Sequence, residues 1–448
     1  MTRNKLLFFL ITSITSTSLF AQDSKWDYPK CVTYAIENNL SVKLQTFDLY
    51  ERKEDLKQAR AQRAPNVSGF YNHSFNRGLN PDPNTNVLIN QISNNGQFGA
   101  QVGVPLFDGF RINNTIKQSK VNISSSQYSK KKMENDITLQ VTENYLDVIF
   151  KYENVGISEK RATNLKNQVD RTKRLVDAGS SPLSELLDLL SQNADAERQL
   201  TEAENAYNIA MLTLKQSMQL DFNTPFEIDI PEFSEPDTLL QFIPSNEVFD
   251  EARNIMPEIK AAELNINASE YQKKIAKGDY YPTINLNGNI STGYSSNYIN
   301  RNDPTDNSLM RQFEDYFSQV ASVQMNIPIY SRRTTKTTVN KAKLAIKKNE
   351  VQLEQELNTL RINIEQAYIN ALSAQKTYIS NKKSVESLEE QFRSVNKRFD
   401  SGAANTTDYV VAENNLNIAR AELNRSKYQF IFSVKILDFY SGKEIIIE

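Results

Sequence analysis

The chain is short of the two residues that most often interrupt regular structure. Its 448 residues hold 13 glycines and 14 prolines, about half of the roughly 12% usual for the pair, so long uninterrupted elements are expected. It has one cysteine, Cys31, and one histidine, His73. That inventory excludes an intrachain disulfide, a Cys/His zinc site and a Cys–His dyad. Neither catalysis, nor a cofactor, nor a metal is expected, and Cys31 reads as a small buried residue of a helix. An excess of one charge is also missing: 52 Lys+Arg against 54 Asp+Glu, net −2, leave no basic field for nucleic acid. No apolar run is long enough to cross a bilayer as a helix, and a mean hydropathy of −0.55 likewise argues against transmembrane helices.

What is present begins with Arg3 and Lys5, the apolar run Leu6-Leu7-Phe8-Phe9-Leu10-Ile11, and a Ser/Thr stretch to Ala21. This is the order of a secretory signal peptide, 1–21, cut after Ala21. The remainder is one unit written twice. Ala35-Ile36-Glu37 lies over Ala252-Arg253-Asn254, and Ala64-Pro65-Asn66-Val67 over Tyr281-Pro282-Thr283-Ile284, both at an offset of 217. Val104-Pro105-Leu106-Phe107 matches Ile327-Pro328-Ile329-Tyr330, and Ala178-Gly179 matches Ser401-Gly402, at an offset of 223. So long a period marks a duplicated domain-sized unit rather than a solenoid. The two units are 22–220 and 246–441, with a proline-containing linker at 221–245 and a tail at 442–448.

Within each unit the hydrophobic period changes from helical to two and back. A helix is expected over 31–64, stopped by Pro65, with a counterpart that carries Pro257 near its start. Strand pairs are expected within 66–107 and 283–330, each strand long enough for one bilayer crossing, joined by polar loops at 77–95 and 295–312. In the second pair Ile284, Leu286 and Ile290 alternate with Asn285, Asn287 and Asn289, and Ala321, Val323, Met325, Ile327 and Ile329 with Ser322, Gln324 and Asn326. His73 falls in a strand. Pro105 and Pro328 are placed to turn strand back into helix.

Long helices are then expected over 108–178 and 331–401. At roughly 1.5 Å per residue each is about 105 Å. Gly179 and Gly402 are placed as left-handed caps. The helices restart at Pro182, in the first helical position, and at Asn405 with Asp408 in a variant capping box, returning over 182–219 and 405–440. Stripes such as Val385, Leu388, Phe392, Val395 and Phe399 step by three and four, the spacing of an antiparallel coiled coil. Lys130-Lys131-Lys132 reads as a solvated face. In the linker, 227–230 alternates as a short strand that Ile445-Ile446-Ile447 could join.

Strands with one apolar and one amide-rich face have the pattern of a membrane barrel wall, yet one chain supplies four, and the smallest such barrels have about eight. The barrel must be shared between chains, since an open edge in lipid leaves backbone groups unpaired. The first helix, 31–64, and the first return helix, 182–219, together match the length of the long helix, 108–178. Two short rods stacked end to end beside one long rod make a tall wall, and a conduit follows more naturally than a catalyst. The competing reading is a periplasmic scaffold or adaptor whose coiled-coil hairpin only binds partners.

Val104-Pro105-Leu106-Phe107-Asp108-Gly109 with Arg111, the weaker repeat Ile327-Pro328-Ile329-Tyr330 with Arg332, and the Gly179 and Gly402 turns resemble the TolC-like outer-membrane efflux and secretion proteins, the outer membrane factors. The resemblance covers nearly the whole mature chain. It implies a mainly α fold with membrane β: a homotrimer whose shared 12-stranded barrel sits in the outer membrane of a Gram-negative cell above a periplasmic α-helical barrel. It implies a passive exit duct whose hairpin tips at Gly179 and Gly402 dock a periplasmic adaptor and an inner-membrane pump of the RND or ABC type. Family acids at the pore tip match Asp408, Glu185 and Asp188. The family's basic residue two after the second glycine and aromatic hydroxyl three before it are here Ala404 and Phe399, so the closed tip is expected to be held by other groups.

Overall fold

The computed structural model describes residues 25–81, 86–221, 223–231, 235–300, 302–303 and 305–447; the expected signal peptide lies outside them. The first half runs α1 (Tyr28–Asn38), α2 (Leu40–Ala61), β1 (Asn66–Pro81), β2 (Leu88–Phe107), α3 (Arg111–Asp177) and α4 (Leu183–Ser217). The second runs α5 (Ser245–Ile255), α6 (Pro257–Gly278), β3 (Thr283–Ser295), α7 (Leu309–Asp315), β4 (Ser318–Asn326), α8 (Thr334–Asp400) and α9 (Thr406–Tyr440). Corresponding helices have equal lengths in the two halves: 11, 22, 67 and 35 residues.

The helix expected over 31–64 is two helices, because the chain breaks at Asn39. There the side chain caps α2 by accepting from Ser41 N–H at 2.8 Å and donates to the Ser217 carbonyl at 3.3 Å. In the second half the break falls at Met256, with Pro257 in the first helical position of α6. The bond from Asn39 also joins the start of α2 to the end of α4, so the two short rods stack end to end along α3, which both of them contact. The second half repeats this with α6 above α9. Around the wall the order is α2, α3, α6, α8 near the sheet and α4, α3, α9, α8 away from it. The long helices span about 100 Å.

Gly179 and Gly402 adopt φ of 73° and 76°. Each closes a Schellman turn: Ser180 N–H donates to the Leu175 carbonyl at 2.8 Å, and Ala403 N–H to the Arg398 carbonyl at 2.7 Å. Pro182 sits at the cap of α4 rather than in its first turn. The turn into the long helices is made beyond the prolines, by consecutive left-handed residues: Gly109 and Phe110 before α3, Arg332 and Arg333 before α8. β2 runs two residues past Pro105, with a register shift between Pro105 and Phe107, whereas β4 stops at Asn326, because Pro328 has no N–H to extend an edge ladder.

The main core lies at mid-height, where Cys31, Ala35, Val141, Tyr145, Ile149, Leu214 and Met218 are packed with Ile228, Ile445 and Ile447. Burial pushes the Cys31 thiol up to about 12, which leaves it protonated and inert at neutral pH. The linker strand pairs not with the C-terminal isoleucines but with Trp26: Trp26 N–H donates to the Glu227 carbonyl and Asp229 N–H to that of Trp26, both at 2.8 Å. Ile445 and Ile447 contribute side chains to that site instead. Further along, Gln375 donates to the Thr238 and Leu240 carbonyls, so the linker crosses the wall from α3 to α8. Lys130 and Lys132 pair with Glu134 and Asp136 one turn on.

Candidate functional site

The sheet is antiparallel in the order β1-β2-β3-β4. Its register places Val67, Val102, Gly288 and Ala321 in one row and Val104, Leu286 and Val323 in another, while Asn66, Gly103, Asn287 and Ser322 form a row on the opposite face. All four strands therefore turn their apolar sets the same way. Val67, Tyr71, Phe75, Ile290, Val323 and Met325 are exposed within the chain, which water does not tolerate at this density.

Aromatic residues bracket that face. At its lower end Phe107, Phe110 and Tyr281 stack edge to face, with centroids 5.1 and 6.1 Å apart. At its upper end Tyr71, His73 and Tyr294 are joined, His73 Nδ1 lying 3.1 Å from the Tyr294 hydroxyl. From Phe107 to Phe98, which pairs with Tyr71, is nine residues; at about 3.3 Å each and a tilt of about 40° they rise about 23 Å, close to the ~25 Å apolar band of outer-membrane barrels. The strands of the first pair outrun the single bilayer crossing expected of them: β1 has 16 residues and β2 has 20. Most of the loop expected at 77–95 is a two-stranded extension above the band. β4 is shorter, at 9.

Both edges of the sheet, β1 and β4, have no partner strand among the described residues. The helical wall is open at the same two ends. Leu40, Leu44 and Phe47 on α2, and Leu344, Val351, Ile362 and Ile369 on α8, are exposed apolar residues on the outermost rods.

At the far end of the wall are the two hairpins. Asp408 is exposed in the first turn of α9, where its N–H donates to Asn405 Oδ1 at 2.8 Å. Glu185 is half-buried and accepts from Ser181 Oγ at 2.6 Å, and Asp188 is exposed one turn on. Among the described residues the three carboxylates form no group within one chain that could hold a metal ion. Sequence reasoning missed two contacts at the tip, one between the hairpins and one within the second. Arg171 of α3 pairs with Asp400 of α8, and Tyr409 is buried against Phe399 and Phe392, with centroids 4.9 and 5.4 Å apart. The aromatic hydroxyl beside Phe399 belongs to Tyr409 of α9. Burial raises its pKa well above the ordinary tyrosine value.

Higher in the wall, Glu413 of α9 is 4% exposed and faces Arg161 of α3, itself 7% exposed. Arg161 donates to Gln199 of α4, while among the described residues its Nε and one Glu413 oxygen have no hydrogen-bond partner. Burial pushes the Glu413 carboxyl up to about 7, Arg161 offsetting only part of the cost. Arg161 lines a cleft of about 740 Å³ between α3, α4 and α9, together with Lys151, Asn154, Asn414 and Asn417. Amides and charges of this kind hydrate a wall.

A model of outer membrane efflux proteins matches residues 32–218 and 248–443. The chain belongs to the outer membrane efflux protein family. It is similar to the outer membrane efflux protein BepC of Brucella suis, 20% identical over 401 residues, 89% of this chain and 81% of that protein. It is 18% identical to the protease secretion protein PrtF of Dickeya chrysanthemi over 68% of this chain and 64% of that one. The fold matches the outer membrane channel CmeC of Campylobacter jejuni with a TM-score of 0.76 and 18% identity, over 93% of this chain and 85% of the other. The chain is thus an outer-membrane channel protein that extends into the periplasm, mainly α with a four-stranded membrane sheet. The scaffold reading finds no support in a family of channels.

Proposed function

We propose that three copies close into one continuous duct, a 12-stranded barrel above a helical tunnel, that carries substrates out of the cell without catalysis. The observation that carries this reading is the agreement of the two layers. Sheet and helical wall both run from a first-half edge (β1, α2) to a second-half edge (β4, α8), and both edges are unfinished. A first-half edge meeting a second-half edge is a heterologous contact, which makes a ring when the rotation closes. Four strands and four rods per chain give 12 of each in a trimer. The resemblance to outer membrane factors supports three rather than two or four.

In this reading the hairpins at Gly179 and Gly402 are the docking end. A periplasmic adaptor and an inner-membrane pump of the RND or ABC type feed the duct, for efflux or for type I secretion. Ring symmetry brings together the acids that one chain keeps apart. Three copies of Asp408, with Glu185 and Asp188, converge on the axis and favour cations there. The prolines Pro65, Pro105, Pro282 and Pro328 mark the passage between barrel and tunnel.

Two experiments test this. Photo-crosslinkers at Ser180 and Ala403 should capture an adaptor in living cells; crosslinks to nothing but the chain itself would remove the docking role. The protein should form ion-conducting pores in a planar bilayer that millimolar divalent cations block. Unchanged block after Asp408→Ala would remove the tip acid from the gate.

A further inference from the structure

The second hairpin of the sheet is closed by α7, a helix absent from the periodicity of the loop expected at 295–312. Ser308 starts it, accepting from Arg311 N–H at 3.4 Å. The helix does not stand above the barrel. Thr292 Oγ1 donates to the Phe313 carbonyl at 2.6 Å, and the Phe313 ring meets Phe98 edge to face at 5.2 Å. Thr292 and Phe98 both belong to the apolar, outward face of the sheet, in the Tyr71 row at the top of the band. Gln312 locks the position, accepting from Ser295 N–H at 2.8 Å and donating to the Asn307 carbonyl.

At roughly 100° per residue, Leu309, Met310, Phe313 and the C-cap residue Tyr316 fall within an arc of about 120° centred on Phe313, and Phe317 follows directly after the helix. Arg311 and Asp315 occupy the opposite side and Glu314 the polar margin beside Met310, both acids paired with Arg311. Leu309, Met310 and Tyr316 of the apolar arc, and the adjoining Phe317, remain exposed. We infer that α7 is an interfacial anchor whose apolar arc is seated in the outer leaflet of the membrane, at the level where headgroups meet acyl chains. The occupant follows from position. The arc continues the lipid-facing band without a gap through the contact of Phe313 with Phe98. It sits over β2 and β3, the two central strands, so that β1 or β4 separates it from either edge where another copy would join. A short helix with an apolar arc of this kind lies in the plane of an interface rather than across it.

The test uses the full-length protein reconstituted in vesicles, with an environment-sensitive fluorophore on Met310→Cys, Phe317→Cys or, on the polar side, Glu314→Cys. Cys31 is fully buried and stays unlabelled. Nitroxide lipids labelled near the headgroup should cut emission at 310 and 317 by roughly twofold or more, and leave 314 open to an aqueous quencher. Emission at 310 and 317 as accessible to the aqueous quencher as that at 314 would overturn the inference, since the arc would then face water. Protection from both quenchers would overturn it too, because another protein surface would then cover the arc. Two independent labelling positions keep the test decisive where one variant fails to assemble.

Discussion

The two halves of the chain agree where they share a wall and differ where they do not. Their helices match residue for residue in length, 11, 22, 67 and 35. Their strand pairs have 16 and 20 residues in one half and 13 and 9 in the other. A rod packed between neighbours along its whole length cannot change length without disturbing both, whereas a hairpin above the membrane has no such neighbour. The halves also reach the same backbone conformations through different residues. Gly109 corresponds to Arg332, Gln219 to Gly442, and Asn39 to Met256 with Pro257. Conformation has been kept at these points while the residue that supports it has changed.

The comparison breaks most sharply at the turn into the long helices. A Cβ on Gly109 would stand 2.3 Å from the Gly278 carbonyl oxygen, which is backbone and cannot step aside. Gly109→Val should therefore cost more than about 3 kcal/mol and empty the outer membrane of assembled protein, measured by immunoblot of membrane fractions. Arg332→Val, at the equivalent left-handed site, should cost distinctly less.

Glu413 is the next difference, because the first half has Leu190 in its place. Its folded pKa of about 7 lies above the ordinary glutamate value, so the native state holds the proton more tightly than the unfolded chain. Stability is then highest below the unfolded pKa, falls as the pH rises between the two values, and levels off above 7. A shift of this size corresponds to about 3 kcal/mol. Glu413→Gln should remove the pH dependence and raise stability at about pH 8 by about 1–3 kcal/mol, with little change at about pH 4.5. Chemical denaturation in detergent at the two pH values measures it.

The smallest expected effect is at the helix ends. Gln219 holds φ of 57° where the second half uses Gly442 at 80°. Gln219→Gly should stabilise by about 0.5–1 kcal/mol, and Gly442→Ala should destabilise by about 1 kcal/mol or more. Thermal unfolding of the two variants reads both signs.

The duplication, the long helices and the left-handed glycine turns were legible because each leaves a local mark, in period or in a residue that few others replace. The break at Asn39 was hidden because asparagine is also tolerated inside a helix, and only the bond to Ser217 shows that it caps one. The left-handed pair Arg332 and Arg333 carries no glycine to announce it. At the tip, Asp408 and Glu185 are proposed from their position relative to a glycine. The contacts of Arg171 with Asp400 and of Tyr409 with Phe399 join residues of different helices, and the regular helical rise fixes spacing within a rod but not the register between rods. The helix α7 was hidden by its length, since so short a segment shows too little of the helical period to separate it from a loop.

In the proposed assembly one chain is an unfinished third of a ring. Native mass spectrometry of the protein extracted from outer membranes in mild detergent tests it. One dominant species of three times the mature chain's mass, resistant to dilution, is expected. A stable monomer, or a closed assembly of another number, would contradict it.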